Sequence, residues 1–178
     1  MTSGGRRKSV AAFIVLGVCL ASGALALNVG WIIVSWENLG KEGDDLTDYI
    51  GHLTALRRRF GQIRCQRWLD GRRADGSYGV LWLTPTSGEM KESDWIFPDG
   101  RFLAYVLGPM EQGQAPIFIV LNAAPEEIAF KMPEMPEYNN WQQVLNTTET
   151  VQADAAFAAG AETKAPPRSV LAFAGSHE

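Results

Sequence analysis

The spacing of apolar residues along the chain changes once, at Gly61. Before this residue, apolar positions recur every three or four residues, which is the pattern of one stripe along an α-helix. These positions are Leu46, Tyr49, Ile50, Leu53, Leu56 and Phe60. Asp44 and Asp45 precede the stripe and Arg57–Arg59 close it, an order that suits the helix dipole. The pattern predicts a helix over residues 46–60, capped by Gly61 and ending in a solvated basic turn.

After Gly61, short runs rich in β-branched and aromatic residues are separated by turn residues. The runs are GVLWLTP (79–85), RFLAYVLG (101–108), PIFIVLNAA (116–124), EEIAFKMP (126–133), WQQVLNTT (141–148) and RSVLAFAG (168–175). The run at 116–124 is apolar on both faces, as in a central strand, and the run at 126–133 alternates cleanly. The alanine-rich residues 153–167 fit either a loop or a weak strand, and the last four residues are expected to fray. The pattern predicts a mainly β fold, an antiparallel β-sandwich over residues 63–174.

The N-terminal segment has a different character. Residues 9–36 carry no charged side chain, and Arg6, Arg7 and Lys8 stand directly before them. An apolar run of this length can cross a hydrocarbon core of about 30 Å. The basic triplet suits a signal peptide or the cytoplasmic flank of an anchor. The sequence therefore predicts an apolar helix over about residues 9–34 that could contact a membrane.

Charge and cysteine content exclude some functions. All 20 acidic residues follow residue 36, as do all but three of the 16 basic ones, so residues 37–178 carry a net charge of −7. An acidic domain is a poor match for nucleic acid, which binds basic surfaces. Cys19 and Cys65 fit two small buried or lipid-facing side chains, and His52 and His177 lie far from any further ligand. The sequence predicts no metal site and no cofactor.

The run WLTPTSGEMKESDW, residues 82–95, has two tryptophans, a proline turn and an acidic stretch. It resembles a block in the C-terminal part of bacterial glycogen debranching enzymes of the isoamylase type. These are glycosidases of the α-amylase superfamily that cleave α-1,6 branch linkages. The matching positions, in order and spacing, are Trp82, Pro85, Gly88, Met90, Asp94 and Trp95.

Further blocks resemble the same family in the same order. Residues 35–60 are similar to the segment that closes the family's catalytic barrel, and residues 116–133 to its hairpin with a Leu-Asn-Ala sequence. WQQVLNTT is similar to a strand in which Asn146 stands where the family usually has Asp, and PPRSVLAFAG to its closing strand. The resemblance implies three parts: an apolar segment 1–34, the last helix of a lost (β/α)8 barrel at 35–61, and a C-terminal β-sandwich at 62–178.

The resemblance also implies a role in glycogen catabolism, α-glucan as partner and a cytoplasmic location. Retaining glycosidases need two carboxylates about 5 Å apart, and the family adds a His-Asp pair that grips the sugar. This chain has no His-Asp dipeptide and no Arg-x-Asp-x-Ala string. We therefore expect the chain to be inactive without its catalytic barrel, and residues 1–34 to be a product of truncation or of a shifted reading frame. The alternative is a membrane-anchored or exported α-glucan-binding module.

Trp82 and Trp95 have two interpretations. Flat aromatic faces stack on sugar rings, so both residues are candidates for carbohydrate binding. As structural residues, Trp82 would lie in the core and Trp95 would hold the following loop against the barrel or the sandwich. A remnant of a larger enzyme would leave the apolar stripe of the 46–60 helix poorly covered. A binding module would instead show a compact fold with an exposed row of aromatic residues.

Overall fold

The computed structural model describes residues 40–65, 68–72, 76–111, 113–149 and 155–177. The helix predicted over about residues 9–34 lies outside these ranges. The chain divides into two compact units, Met1–His52 and Leu53–Glu178. Within the described ranges, no helix combines the length and the apolar character needed to cross a membrane.

The predicted helix is present as α1, Lys41–Arg59. It begins five residues earlier than the sequence pattern indicates, after Gly40, whose carbonyl accepts the N–H of Asp44 at 3.2 Å. The three arginines of its last turn are exposed, as predicted. The prediction that Gly61 caps the helix is wrong. Phe60 leaves the helix in an extended conformation, with φ −103° and ψ 92°, and Gly61 starts a short 3₁₀ helix, Gly61–Arg64.

The apolar stripe of α1 is covered unevenly. In the second unit, Leu56 is 9% exposed and Phe60 is 2% exposed. Near the start of the helix, Leu46 and Ile50 are 44% and 51% exposed. The stripe is therefore buried at its C-terminal end and open to solvent near its beginning.

The change to a period of two is confirmed, because each of the six predicted runs contains a strand. The strands are β1 (Val80–Leu83), β2 (Phe102–Leu107), β3 (Ile117–Asn122), β4 (Ile128–Lys131), β5 (Asn140–Asn146), β6 (Ala156–Ala158), β7 (Glu162–Ala165) and β8 (Ser169–Ser176). Six of them form an antiparallel sheet in the order β1-β2-β3-β8-β5-β6, and β4 pairs with β7 in a second sheet. β3 is central, as its apolar pattern predicts. The mainly β, antiparallel sandwich fold is thus confirmed.

The core lies between the two sheets and combines aliphatic side chains with a group of packed aromatic rings. Phe118 of β3 contacts Phe130 of β4 and Phe173 of β8, with ring centroids 6.1 and 5.9 Å apart. Trp141 of β5 is fully buried beside Phe118, and its indole N–H donates to the carbonyl of Pro133 at 2.8 Å. A buried indole needs such an acceptor, because an unpaired donor in an apolar core is costly.

Residues 153–167 supply two of the strands. β6 lies at the edge of the large sheet, where Phe157 packs edge-on against Phe173 at 5.6 Å. Gly160, at φ +76°, turns the chain into β7, which completes the second sheet. The expected fraying of the C-terminus is wrong as far as His177, because β8 continues to Ser176 and the His177 ring packs on Tyr138 with centroids 4.5 Å apart.

Candidate functional site

Strand β1 places Trp82 on the outer face of the large sheet. Leu81 and Leu83 are buried in the core cluster, so the alternation along the strand sends Trp82 to the opposite face. Trp82 is half-buried there. The expectation that Trp82 belongs to the core is therefore wrong. The VLWL run is apolar throughout, and the sequence alone does not tell which face is covered by the second sheet.

A tight turn brings the chain back along β1. The N–H of Thr84 donates to the carbonyl of Gly88 at 2.8 Å, and the N–H of Met90 donates to the carbonyl of Trp82 at 2.9 Å. Ser87 takes the left-handed conformation at φ 64°. Because the carbonyl of Pro85 also accepts the N–H of Lys131, the turn is fixed to β4. Pro85 and Gly88 are therefore explained by the geometry of this turn.

The short helix α2, Glu92–Trp95, follows this turn. The N–H of Lys91 donates to the carboxylate of Asp94 at 2.7 Å, which closes the first turn of the helix. Asp94, from the acidic stretch of the motif, thus caps the helix. The helix sets Trp95 over β1, where its ring meets Trp82 edge-on, at a centroid distance of 5.3 Å and an angle of 78°.

Tyr105 completes this group of rings. It is the register partner of Trp82 across the β1–β2 pair, and the two ring centroids are 5.0 Å apart. Trp82, Trp95 and Tyr105 form the outer-face cluster, in which Trp95 is 52% exposed. Burial raises the pKa of the Tyr105 phenol above its ordinary value of 10.0, so the ring stays neutral at physiological pH. Sequence reasoning missed Tyr105, whose only signal was its outward position in the alternating run 101–108.

A cavity of about 510 Å³ lies beside the outer-face cluster. Its wall includes Ile63, Ile119 and Trp68, together with Trp82 and Tyr105. Trp68 is 98% exposed, which is far from its usual buried state. A site with aromatic faces and little charge suits a neutral ligand that presents both apolar C–H faces and hydroxyl groups.

Some charged side chains of the described residues form surface ion pairs. The pairs are Arg72–Glu89 at 3.3 Å, Lys131–Glu134 at 2.6 Å and Lys164–Glu127 at 3.0 Å. The hydrogen bond and charge of Lys131 lower the pKa of the Glu134 carboxyl. Among the residues that the structure describes, no group of three or more His, Cys, Asp or Glu side chains is placed to hold a metal ion.

Comparison with known proteins agrees with this fold and motif. The β-rich unit with a Trp-Pro-Gly-Met-Asp-Trp block is of the kind found at the C-terminus of glycogen-debranching glycosidases. Residues 79–169 match the family model described as "Isoamylase, C-terminal", and the chain belongs to this family.

Relatives named "Glycogen operon protein GlgX homolog" occur in Mycobacterium bovis and in two strains of Mycobacterium tuberculosis. Each is 26% identical to this chain in an alignment 152 residues long, and the alignment covers 78% of the chain and 21% of the relative. The chain thus spans about a fifth of the length of these relatives. The prediction that it is the C-terminal region of an isoamylase-type glycogen debranching enzyme is confirmed.

Proposed function

We propose that this chain serves as an accessory domain in glycogen debranching, does not itself hydrolyse glucan, and contacts α-glucan through the outer-face cluster. The family membership supports the ligand class. The observation that carries the proposal is the half-exposed Trp95 ring held edge-on by Trp82. A ring fixed by its neighbour loses little further conformational entropy when a sugar stacks on its free surface.

The way in which the chain uses several of its carboxylates supports the proposed lack of hydrolysis. A retaining glycosidase needs one carboxylate as nucleophile and a second, with a raised pKa, as general acid. Asp94 instead caps α2, and three glutamates pair with basic side chains on the surface. The lowered pKa of Glu134 is the reverse of what a general acid needs. Incubation of the purified chain with glycogen or limit dextrin should release no reducing sugar. Release that a single Asp or Glu substitution abolished would overturn this part of the proposal.

The glucan contact is tested by Trp95→Ala. The variant should keep its melting temperature within a few degrees, because half of the ring already faces solvent. It should lose measurable binding to soluble glycogen in affinity electrophoresis. Phe97→Ala is the matched control, because Phe97 is 64% exposed in the same loop but is not part of the cluster. Equal binding by the wild type and both variants would contradict the proposal.

The alternative of an anchored or exported glucan-binding module shares the same site. The exposed aromatic side chains of Trp68, Trp95 and Phe97 fit such a module. The open stripe near the start of α1, at Leu46 and Ile50, favours a domain adapted to a larger neighbour. Because glycogen is the proposed ligand, we place the chain in the cytoplasm. Cell fractionation of the full chain beside a variant that begins at Ser35 separates the alternatives. Stable membrane recovery of the full chain, with a folded monomeric shorter form, would favour the anchored module.

A further inference from the structure

Two more cavities adjoin the one beside the outer-face cluster. The first cavity, of about 510 Å³, shares Cys65, Trp68 and Leu69 with a second of about 430 Å³. The second shares Tyr78 and Pro109 with a third of about 390 Å³. Each lies within the size range of small-molecule sites. Neighbouring cavities share wall residues and therefore lie next to one another; we call this row of three cavities the Trp82–Tyr138 groove, with Trp82 at one end and Tyr138 at the other.

Aromatic rings recur along the whole groove. Trp82 and Tyr105 line the first cavity, Trp68 stands where the first and second meet, and Tyr78 stands where the second and third meet. Tyr138 ends the series, and the His177 ring packs against it. A ligand that contacts all these rings must be extended, because a single sugar ring cannot span the distance from the first cavity to the third.

Polar groups accompany the rings. Gln62 is 2% exposed and contributes to the wall of the first cavity. Its Nε2 donates to the carbonyl of Ala115 at 2.7 Å, whereas its buried Oε1 has no donor in the part of the chain that the structure describes. Native folds rarely leave such an acceptor unpaired. In the third cavity, the phenol groups of Tyr78 and Tyr138 lie near each other and near Glu137. Hydroxyl-rich ligands can exchange hydrogen bonds with these phenols.

We infer that the Trp82–Tyr138 groove binds an extended linear α-glucan segment of several glucose units, rather than a single sugar on the outer-face cluster. The inference rests on the proposed function for the class of ligand. It adds that Trp68, Tyr78 and Tyr138 provide further subsites, so that affinity depends on chain length. Linked subsites act at high effective concentration, and each additional occupied subsite therefore tightens binding.

Calorimetric titration of the full chain with maltose, maltotriose and maltoheptaose tests the inference. Maltoheptaose should bind at least about tenfold more tightly than maltose, since it can occupy subsites that maltose leaves empty. Tyr78→Phe, which lies outside the first cavity, should weaken the binding of maltoheptaose by about fivefold and leave the binding of maltose unchanged, whereas Trp68→Ala should weaken the binding of both ligands. Trp68→Ala should not unfold the domain, because the Trp68 side chain is 98% exposed and contributes little to the core. Phe97→Ala, outside the groove, should leave the affinity for maltose and for maltoheptaose unchanged.

The possible failures are distinguishable. If affinity does not depend on length, and Trp95→Ala abolishes binding while Trp68→Ala does not, the outer-face cluster is the whole site and the groove inference is overturned. If no maltooligosaccharide binds, both the inference and the proposed glucan contact are overturned. In that case the groove is better explained as a surface that packs against another domain.

Discussion

Asn122 of β3 donates from its side-chain amide to the carbonyl of Ala165 in β7 at 3.1 Å, and so joins the two sheets of the sandwich. The same amide also donates to the carbonyls of Pro166 and Glu126, and its Oδ1 accepts the N–H of Ala124 at 2.8 Å. Asn122 is 2% exposed. The Leu-Asn-Ala sequence that resembles the family is therefore a structural link, since one side chain satisfies four backbone groups near the strand end.

Asn122→Asp should destabilise the domain by about 2–4 kcal/mol, because it places a carboxylate against three carbonyl oxygens. Urea unfolding at neutral pH measures the loss. Asn139→Asp makes the same chemical change at an exposed position, and should stay within about 0.5 kcal/mol of wild type. Equal unfolding free energies for the two variants would show that the Asn122 amide does not hold the sheets together.

Asn146 stands where the resemblance to the family predicts Asp, and the structure gives a reason. Its Nδ2 donates to the carboxylate of Glu149 at 2.8 Å, and its Oδ1 accepts hydrogen bonds from both the N–H and the hydroxyl of Thr148. A carboxylate at position 146 could still accept the hydrogen bonds from Thr148. It would, however, repel the carboxylate of Glu149.

Asn146→Asp should therefore destabilise the domain by about 1–3 kcal/mol at neutral pH. The loss should shrink in acid, where protonation removes one of the two charges. Glu149→Gln in the same chain should restore most of the stability, because an amide at position 149 can donate to the new carboxylate. Thermal melts of the single and double variants across pH measure this coupling. A double variant no more stable than Asn146→Asp would refute it.

The sequence predicted the strands better than their arrangement. The six runs have residue types that favour strands in any context, so local pattern was enough to find them. The order β1-β2-β3-β8-β5-β6 depends on pairs distant in the chain, such as Val120 with Leu171, which no local pattern specifies. β6 and β7 were left open because alanine has little preference for strands, and their partners, not their own residues, decide their state.

The candidate site was predicted in part, for a similar reason. Trp82 and Trp95 were found because their spacing fits a known block. Which face of β1 carries the second sheet was not visible, so Trp82 was expected in the core. Tyr105 was missed because its meaning depends on register: it lies opposite Trp82 only when β1 and β2 are paired. The exposed ring of Trp68 was not predicted, because a tryptophan side chain usually becomes largely buried in a folded domain.

Gln62 offers a test of what an unpaired buried oxygen costs. Gln62→Glu would set a carboxylate against the carbonyl of Ala115, and should destabilise the domain by about 2–4 kcal/mol at neutral pH. Gln62→Met has nearly the same shape and loses one hydrogen bond, but it also removes the unpaired Oε1. It should cost no more than about 1 kcal/mol. Chemical unfolding of the two variants measures the asymmetry, and a Met variant as unstable as the Glu variant would contradict it.

Tyr78 should make the domain sensitive to alkali. Burial, assisted by the nearby Tyr138 and Glu137, raises the pKa of Tyr78 from 10.0 to about 12. The pKa of Tyr78 is higher in the folded state than in the unfolded state. The neutral phenol therefore contributes its full stabilisation below pH 10, and this stabilisation is lost as the pH rises from 10 towards 12.

Tyr78→Phe cannot ionise, so its unfolding free energy should fall less steeply between pH 10 and 12 than that of the wild type. Tyr105→Phe should reduce the same slope to a smaller extent, since burial alone raises the pKa of Tyr105. Urea unfolding at a series of alkaline pH values gives the slopes. If removing the Tyr78 hydroxyl leaves the slope unchanged, its ionisation is not linked to folding.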